Sequence, residues 1–388
     1  MSVVLRLCGV LLVLFALLDA AVAGEALDPA LAKTDGEKSP LWYDVQLLDV
    51  EGRAWKETKA PFDRLPAKAE GVVRDAVWGL SRHSAGMCVR FESDAPAIHA
   101  RWTLTSSRLD MPHMPATGVS GLDLYVKADD GRWRWLANGR PSAQSNTAAL
   151  VSNLPAGTRS YLLYLPLYNG VQSVEIGVPK GSTLAKAAPR EAGRDKPILF
   201  YGTSITQGGC ASRPGMVHTA IVGRWLNYPV MNFGFSGNGR MELEMADLFA
   251  ELDPAVYVLD CLPNMQAAEV AERVEPFVKR LRQSRPETPI LLVEDRSYTN
   301  AYILEGPRKR SEESRAALRK AYENLKAAGV KGLYYLEGER LLADDSEGTV
   351  DGSHPTDLGF VQHAEAFVEV LAPILKTPVP SNAKRTGK

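Results

Sequence analysis

Cysteine and histidine are scarce in this chain, at four and six among 388 residues. No Cys-x-x-Cys or His-x-x-x-His pairing occurs, so neither a disulfide framework nor a zinc-stapled domain is expected. A hydrophobic core must seal the fold. An excess of either charge sign is also missing: Lys+Arg total 45 and Asp+Glu 46, for a net charge of -1. Without a basic surplus there is nothing to neutralise a run of phosphates or an anionic bilayer, and nucleic acid is not an expected partner. With 45% hydrophobic and 23% charged residues, the composition excludes both a disordered polymer and a multi-span membrane protein. At roughly 150 residues per domain the length points to two domains.

Residues 1–23 have the pattern of a secretory signal. Arg6 supplies the positive end, Leu7 to Leu18 form an apolar stretch too short to span a bilayer, and Ala21-Val22-Ala23 precede Gly24 as a small-residue cleavage site. The mature chain is therefore expected to be exported, periplasmic or extracellular, with no stable membrane insertion after cleavage. An uncleaved anchor is the other reading. Removing Cys8 leaves Cys88, Cys210 and Cys261, which allow at most one intrachain disulfide.

Residues 40–180 carry short strand-like runs between turn residues: Met87 to Phe91, Ala97 to Thr105, Leu122 to Lys127, Trp133 to Ala137, Tyr161 to Leu167 and Val171 to Val178. Several alternate apolar with polar, the signature of half-buried strands, and a β-sandwich is expected. Gly181 to Asp195, mixed in composition and without periodicity, is read as a linker. From 196 to 376 the pattern changes to apolar runs (Ile198 to Tyr201, Val230 to Phe233, Val256 to Leu259, Ile290 to Val293, Leu333 to Leu336) alternating with helical candidates near 215–227, 240–251, 267–284, 311–328 and 357–375. Such alternation implies βαβ crossovers and a parallel sheet covered on both faces, a three-layer α/β fold. The tail from Thr377 is expected to be disordered.

In an open α/β sheet ligands bind beyond the carboxyl ends of the strands. Here those ends read Gly202-Thr203-Ser204-Ile205-Thr206, Asn232-Phe233-Gly234-Phe235-Ser236-Gly237-Asn238, Asp260-Cys261-Leu262-Pro263-Asn264 and, after the fifth strand, Asp351-Gly352-Ser353-His354-Pro355. Each alone is an ordinary turn or helix cap. A phosphate cradle is disfavoured because the lysine of Gly-x-x-x-x-Gly-Lys-Ser/Thr is missing. Together, in this order, a serine, a glycine-rich loop, an asparagine and an Asp-x-x-His pair are the parts an acyl-transfer enzyme needs.

These blocks resemble the SGNH, or GDSL, hydrolase family. The front half adds Gly121-Leu122-Asp123-Leu124-Tyr125, which is similar to the Gly-x-Asp-Leu-Tyr motif of a β-rich module preceding some exported members. The resemblance implies a flavodoxin-like α/β/α catalytic domain in which Ser204 is the nucleophile, His354 the base and Asp351 its partner, with Ser204, Gly237 and Asn264 as oxyanion-hole donors. Two positions depart from the pattern: Thr203 replaces the usual aspartate, and Leu262-Pro263-Asn264-Met265 replaces Gly-x-Asn-Asp. For substrate, the resemblance implies carbohydrate esters.

The chemistry fits those residue types. A serine hydroxyl needs a base, and histidine is the side chain whose ordinary pKa lies nearest neutrality. Asp351, three residues earlier, reaches the far ring nitrogen. No metal or cofactor is required. The expected reaction is serine-dependent deacetylation of a small-molecule or oligosaccharide ester; the competing readings are a lipase or thioesterase and a non-catalytic carbohydrate-binding protein. Retention of Ser204, His354 and Asp351 together argues against the last. Nothing in the pattern speaks to oligomeric state.

Other residues carry weaker signals. Trp42, Trp55, Trp78, Trp102, Trp133 and Trp135 are read mainly as sandwich core, with stacking on sugar rings as the alternative. His113 is an ordinary loop residue unless its loop leans over the catalytic edge. His218 and His363 fall on helices as structural or surface residues. Glu294, Asp295 and Arg296 end the fourth strand as substrate contacts or a rim ion pair. Met216, Met241 and Met265 are candidates for an acyl pocket. Cys210 and Cys261, on two loops at one sheet edge, are expected to form a disulfide, with two buried free thiols as the other reading.

Overall fold

The computed structural model describes residues 24–383. The expected signal, 1–23, lies outside the described residues. In the strand Ile98–Leu104, Ile98, Ala100, Trp102 and Leu104 are buried while the residues between them are half-buried, the alternation imposed by a sheet with one covered face. This strand pairs antiparallel with Val171–Val178 and Ser145–Val151, and Leu41–Asp44 extends the sheet beyond Val171–Val178. A second, six-stranded antiparallel sheet contains Cys88–Ser93, Arg159–Tyr164, Leu122–Lys127 and Trp133–Gly139, with Leu184–Lys186 and Asp49–Glu51 both on Cys88–Ser93. The inner faces share an apolar cluster that includes Tyr43, Phe91, Trp102, Leu163 and Ile176. This is the expected sandwich.

The segment read as a linker is not free chain. Leu184 is buried in the sandwich core, and Arg190 pairs with Glu51 at 2.7 Å and bonds Asn227 at 2.9 Å. Short alternation over Leu184–Lys186 gave too little pattern to read. The tail also departs from expectation, since Ala383 is buried in the core of the second half.

The second half holds five parallel strands, Ile198–Gly202, Val230–Gly234, Val256–Asp260, Ile290–Val293 and Leu333–Leu336, in the spatial order second, first, third, fourth, fifth. The first and third are buried at every residue, which is why they read as unbroken apolar runs. Helices His218–Leu226 and Asp357–Ile374 pack in one apolar cluster, and Leu243–Ala250, Ala267–Ser284 and Glu305–Ala327 in another. The three-layer α/β/α arrangement is as expected. Glu305–Ala327 starts more than a turn before the anticipated 311, because its first residues, Glu305 to Arg310, are polar apart from Gly306 and Pro307 and carry no apolar period.

The two halves share a core. Residues 54–80 leave the sandwich, and Trp55, Leu65, Val73 and Val77 join Phe233, Met245 and Phe249 in one cluster. Arg64, 1% exposed, donates to the carbonyls of Asn232 (3.1 Å), Gly234 (2.7 Å), Leu80 (2.7 Å) and His83 (2.9 Å). The tryptophans divide accordingly. Trp102 fills the sandwich, Trp55 and Trp78 cover the second half, and Trp135 is half exposed.

Candidate active site

The first parallel strand ends where two backbones meet. A Cβ on Gly202 would strike the Thr206 hydroxyl, and one on Gly239 the Gly202 carbonyl. The chain then enters the short helix Ser204–Gln207, whose N-cap is Thr203: its Oγ1 accepts from Ile205 N–H (3.2 Å), while Thr206 Oγ1 accepts from Thr203 N–H (3.4 Å). Threonine and aspartate are both N-cap residues, so this substitution keeps the turn that presents Ser204. Ser204 is half-buried at the first helical position.

Ser204 Oγ lies 2.8 Å from His354 Nε2, and His354 Nδ1 lies 2.8 Å from Asp351 Oδ2. The other Asp351 oxygen accepts the backbone N–H groups of Ser353 (3.0 Å) and His354 (2.8 Å). Burial by itself would raise the Asp351 pKa; the bonds from the His354 backbone and ring outweigh it and hold the carboxyl below its ordinary value. Arg296, 1% exposed, backs this loop by donating from Nε to Ser353 O at 3.0 Å and from Nη2 to Ser353 Oγ.

Gly237 is exposed with φ +69° on the loop after the second strand. Gln207 aims that loop: its Oε1 accepts from Ser236 N–H (3.0 Å), and its Nε2 donates to Leu167 O (3.2 Å) and pairs with His83 Nδ1 (3.1 Å). Asn264 closes a one-turn helix, Leu262–Asn264, with Pro263 in its first turn. Its Oδ1 accepts from Asn238 N–H (3.1 Å) and Gly239 N–H (3.2 Å). Turned the other way, Nδ2 would reach the Phe235 and Gly239 carbonyls at 3.4 and 3.3 Å, so the first orientation satisfies the amide better. Arg310 grips the flanks by donating to Pro263 O at 2.8 Å and Met265 O at 3.4 Å. Beneath the site, Asp260 accepts from Thr206 Oγ1 at 3.0 Å, and burial pushes its pKa up to about 7.

Residues 195–372 match the model of the GDSL-like lipase/acylhydrolase family, and residues 41–184 match that of the GxDLY module, the N-terminus of SGNH-hydrolase-type esterases. A Bacteroides ovatus protein assigned as a GDSL-like lipase has a crystal structure similar to this one, with TM-score 0.82 and 34% identity over 88% of this chain and 99% of that one. The chain belongs to the GDSL-like lipase/acylhydrolase family. It is thus a carboxylic ester hydrolase of the SGNH class. Two more distant structures share its fold. A salicylyl-acyltransferase from a tetracycline biosynthetic pathway has TM-score 0.70 at 20% identity, over 89% of this chain and 100% of that one. An acetyl xylan esterase from Butyrivibrio proteoclasticus has TM-score 0.55 at 11% identity, over 87% and 99%. No curated protein sequence matches the chain.

The front module of this hydrolase reaches the Ser204 and His354 loops directly. Tyr168 donates its hydroxyl to Ser204 O at 3.0 Å. His113 is exposed, with its ring edge-on to that of His354 at 5.9 Å between centroids, so its loop does lean over the site. Asp123 of the Gly-x-Asp-Leu-Tyr motif is fully buried and accepts from Trp135 Nε1 (2.9 Å), Arg213 Nη1 (2.8 Å) and Gly215 N–H (2.8 Å). The sequence holds no local signal for Gln207, Tyr168 or Arg310, because their roles arise from partners far away in the chain.

Several expectations are corrected. Cys210 and Cys261 are free and buried: the Cys261 thiol turns into the core and donates to Tyr201 O at 3.5 Å. Glu294, Asp295 and Arg296 are buried and neither touch solvent at the rim nor form an open substrate surface. Glu294 accepts from Gly338 N–H (2.9 Å) and Tyr335 (2.6 Å), and Asp295 pairs with Arg296 and Arg310. Met241 and Met265 are core residues, while Met216 is half-buried. His218 and His363 are buried, as structural residues.

Proposed function

We propose that this hydrolase is exported and removes acetyl groups from carbohydrate through Ser204, His354 and Asp351. One observation carries the assignment: the unbroken series Ser204 Oγ to His354 Nε2 and His354 Nδ1 to Asp351 Oδ2, with both distances 2.8 Å. Ser204 attacks the ester carbonyl as His354 Nε2 takes its proton, and Asp351 holds the ring in the required tautomer and stabilises the imidazolium. The backbone N–H groups of Ser204 and Gly237 and the Asn264 side-chain amide bind the tetrahedral oxyanion, each such donor contributing roughly 3–4 kcal/mol to the barrier reduction. As the tetrahedral intermediate collapses, the bond between the acetyl carbon and the sugar oxygen breaks, and the imidazolium protonates that departing oxygen, which leaves as a hydroxyl and leaves Ser204 acetylated. Water, deprotonated by the same imidazole, cleaves the acyl-enzyme to acetate and frees Ser204.

The test is turnover of folded variants. Ser204→Ala and His354→Ala should each lose nearly all activity, and Asp351→Asn should retain a residue some 10⁴-fold reduced. A folded Ser204→Ala protein at full rate would sink the assignment. The substrate class is supported by the aromatic-bearing β module and the acetyl xylan esterase likeness in fold; acetate release from acetylated xylo-oligosaccharides tests it. Export is supported by the 1–23 pattern, and the mature N-terminus should be Gly24. Exposed Ile303, Leu304 and Val350 favour a second reading with a longer acyl group. Rates that climb steadily from acetyl to dodecanoyl esters of one alcohol would establish that reading instead.

A further inference from the structure

A cleft of about 500 Å³ opens beyond the fourth and fifth strands. One wall is the loop 297–302, another the segment 338–346. The third is the helix Glu305–Ala327, which presents Arg308, Ser311, Glu312 and Arg315 at one-face spacing.

The two arginines of this cleft are paired. Arg308 faces Glu312 at 4.0 Å, and Arg315 faces Glu294 at 3.8 Å and Glu339 at 3.6 Å, so the cleft offers no uncompensated positive field for a phosphate or sulfate. Its polar groups are hydroxyls and carboxylates, among them Ser297, Thr299, Asp344 and Ser346. Ser311 is only 4% exposed and its Oγ has no hydrogen-bond partner. A buried hydroxyl left unpaired is costly, and a ligand bond would recover that cost. At the lip, Tyr302 is 78% exposed and presents a ring face. Paired arginines, the buried Ser311 hydroxyl without a partner and an open aromatic face suit a neutral polyol with apolar C–H faces, which describes a pyranose ring.

The same wall is bonded to the catalytic loop. Thr299 N–H donates to Gly352 O at 3.2 Å, the Thr299 and Thr349 hydroxyls are 2.7 Å apart, and Arg296 next to the cleft holds Ser353. A chain lying in the cleft is therefore one loop away from His354. We infer that this cleft is a glycan subsite, which holds neutral pyranose units of the chain whose acetyl group is presented to Ser204. The inference rests on the carbohydrate-ester reading and adds where the sugar backbone lies.

The experiment separates the two. Calorimetric titration of the Ser204→Ala protein with unacetylated xylohexaose, mannohexaose and cellohexaose reads binding without turnover. At least one hexaose should bind, and adding Tyr302→Ala should weaken it roughly three- to tenfold. Ser311→Ala should weaken it too while leaving the melting temperature equal or higher, since it deletes an unpaired hydroxyl. In otherwise wild-type protein, Tyr302→Ala should lower kcat/KM on acetylated hexaose more than on an aryl acetate. No binding of any hexaose, binding indifferent to both substitutions, or displacement of the hexaose by decanoate would overturn the subsite. Failure of the wild type to deacetylate any sugar while a hexaose still binds through Tyr302 and Ser311 would instead overturn the carbohydrate-ester reading and leave the subsite standing.

Discussion

Asp260 and His218 are buried groups of opposite kind, and both leave a signature in the pH dependence of stability. Desolvation keeps Asp260 protonated up to about 7, whereas an unfolded aspartate releases its proton near about 3.9. Between those values the folded state binds more protons than the unfolded one, so stability falls as pH rises through the window and is level above it. Asp260→Asn should remove that slope. Its stability relative to wild type, from urea unfolding at a series of pH values, should improve from pH ~4 to ~7, and parallel curves would refute the assignment. His218 is stacked between Phe360 and Phe367, and neither ring nitrogen has a hydrogen-bond partner. Burial, with His363 adding to it, drives its pKa far down. The unfolded chain therefore gains a proton below about 6.5 that the folded chain refuses, and stability drops as pH falls. His218→Phe should be at least as stable as wild type at pH 7, with an advantage that widens on acidification. A variant that loses more stability in acid than wild type would show that His218 is charged in the fold.

Among the elements, the Gly-x-Asp-Leu-Tyr strand Leu122–Lys127 works as a latch on the segment that follows the Ser204–Gln207 helix. Asp123 and Tyr125 hold Arg213, Asp123 also holds Gly215, and Thr117 donates to Ser212 O at 2.6 Å. Ser212 in turn bonds Asp357, at the start of the helix after His354, through its N–H (2.9 Å) and its hydroxyl. This strand and the short helix Ala116–Val119 before it thus steady both chain segments that carry the Ser204–His354 pair. Removing one partner of a buried ion pair leaves the other uncompensated, at a cost of about 3–5 kcal/mol. Asp123→Asn should approach the lower end of that range, because the amide oxygen still accepts one bond; a loss under about 0.5 kcal/mol, the level of a surface substitution, would mean that the latch is not a structural device.

On the scale of the whole molecule, the shared core makes the two halves one cooperative unit. Trp55, Leu65, Val73 and Val77 cover Phe233, Met245 and Phe249, and Arg64 satisfies the carbonyls of Asn232 and Gly234. A fragment beginning near residue 190 would expose that apolar surface and strand those carbonyls. The full chain should unfold in a single calorimetric transition, and the fragment should aggregate or melt well below it. Two resolved transitions, or a monomeric fragment with the full chain's melting temperature, would show that the halves are independent.

The sequence by itself determined the parallel sheet and the loops that carry Ser204, Gly237, Asn264, Asp351 and His354. The inner strands are apolar runs because both their faces are covered, and the loops of Ser204, Gly237 and Asn264 follow their strands directly, so these signals are local in the chain. Other features were weakly written. Ser145–Val151 reads Ser-Asn-Thr-Ala-Ala-Leu-Val, too polar at one end to announce a strand, and Leu184–Lys186 is too short. Only the tertiary structure decided that Cys261 turns into the core away from Cys210, that Arg296 is a buried brace, that His113 meets His354, and that the start of Glu305–Ala327 walls a cleft. Each of these depends on which distant backbone a side chain meets after packing, and side-chain direction at a given contact is set by the neighbours that fill the core, which no local pattern encodes.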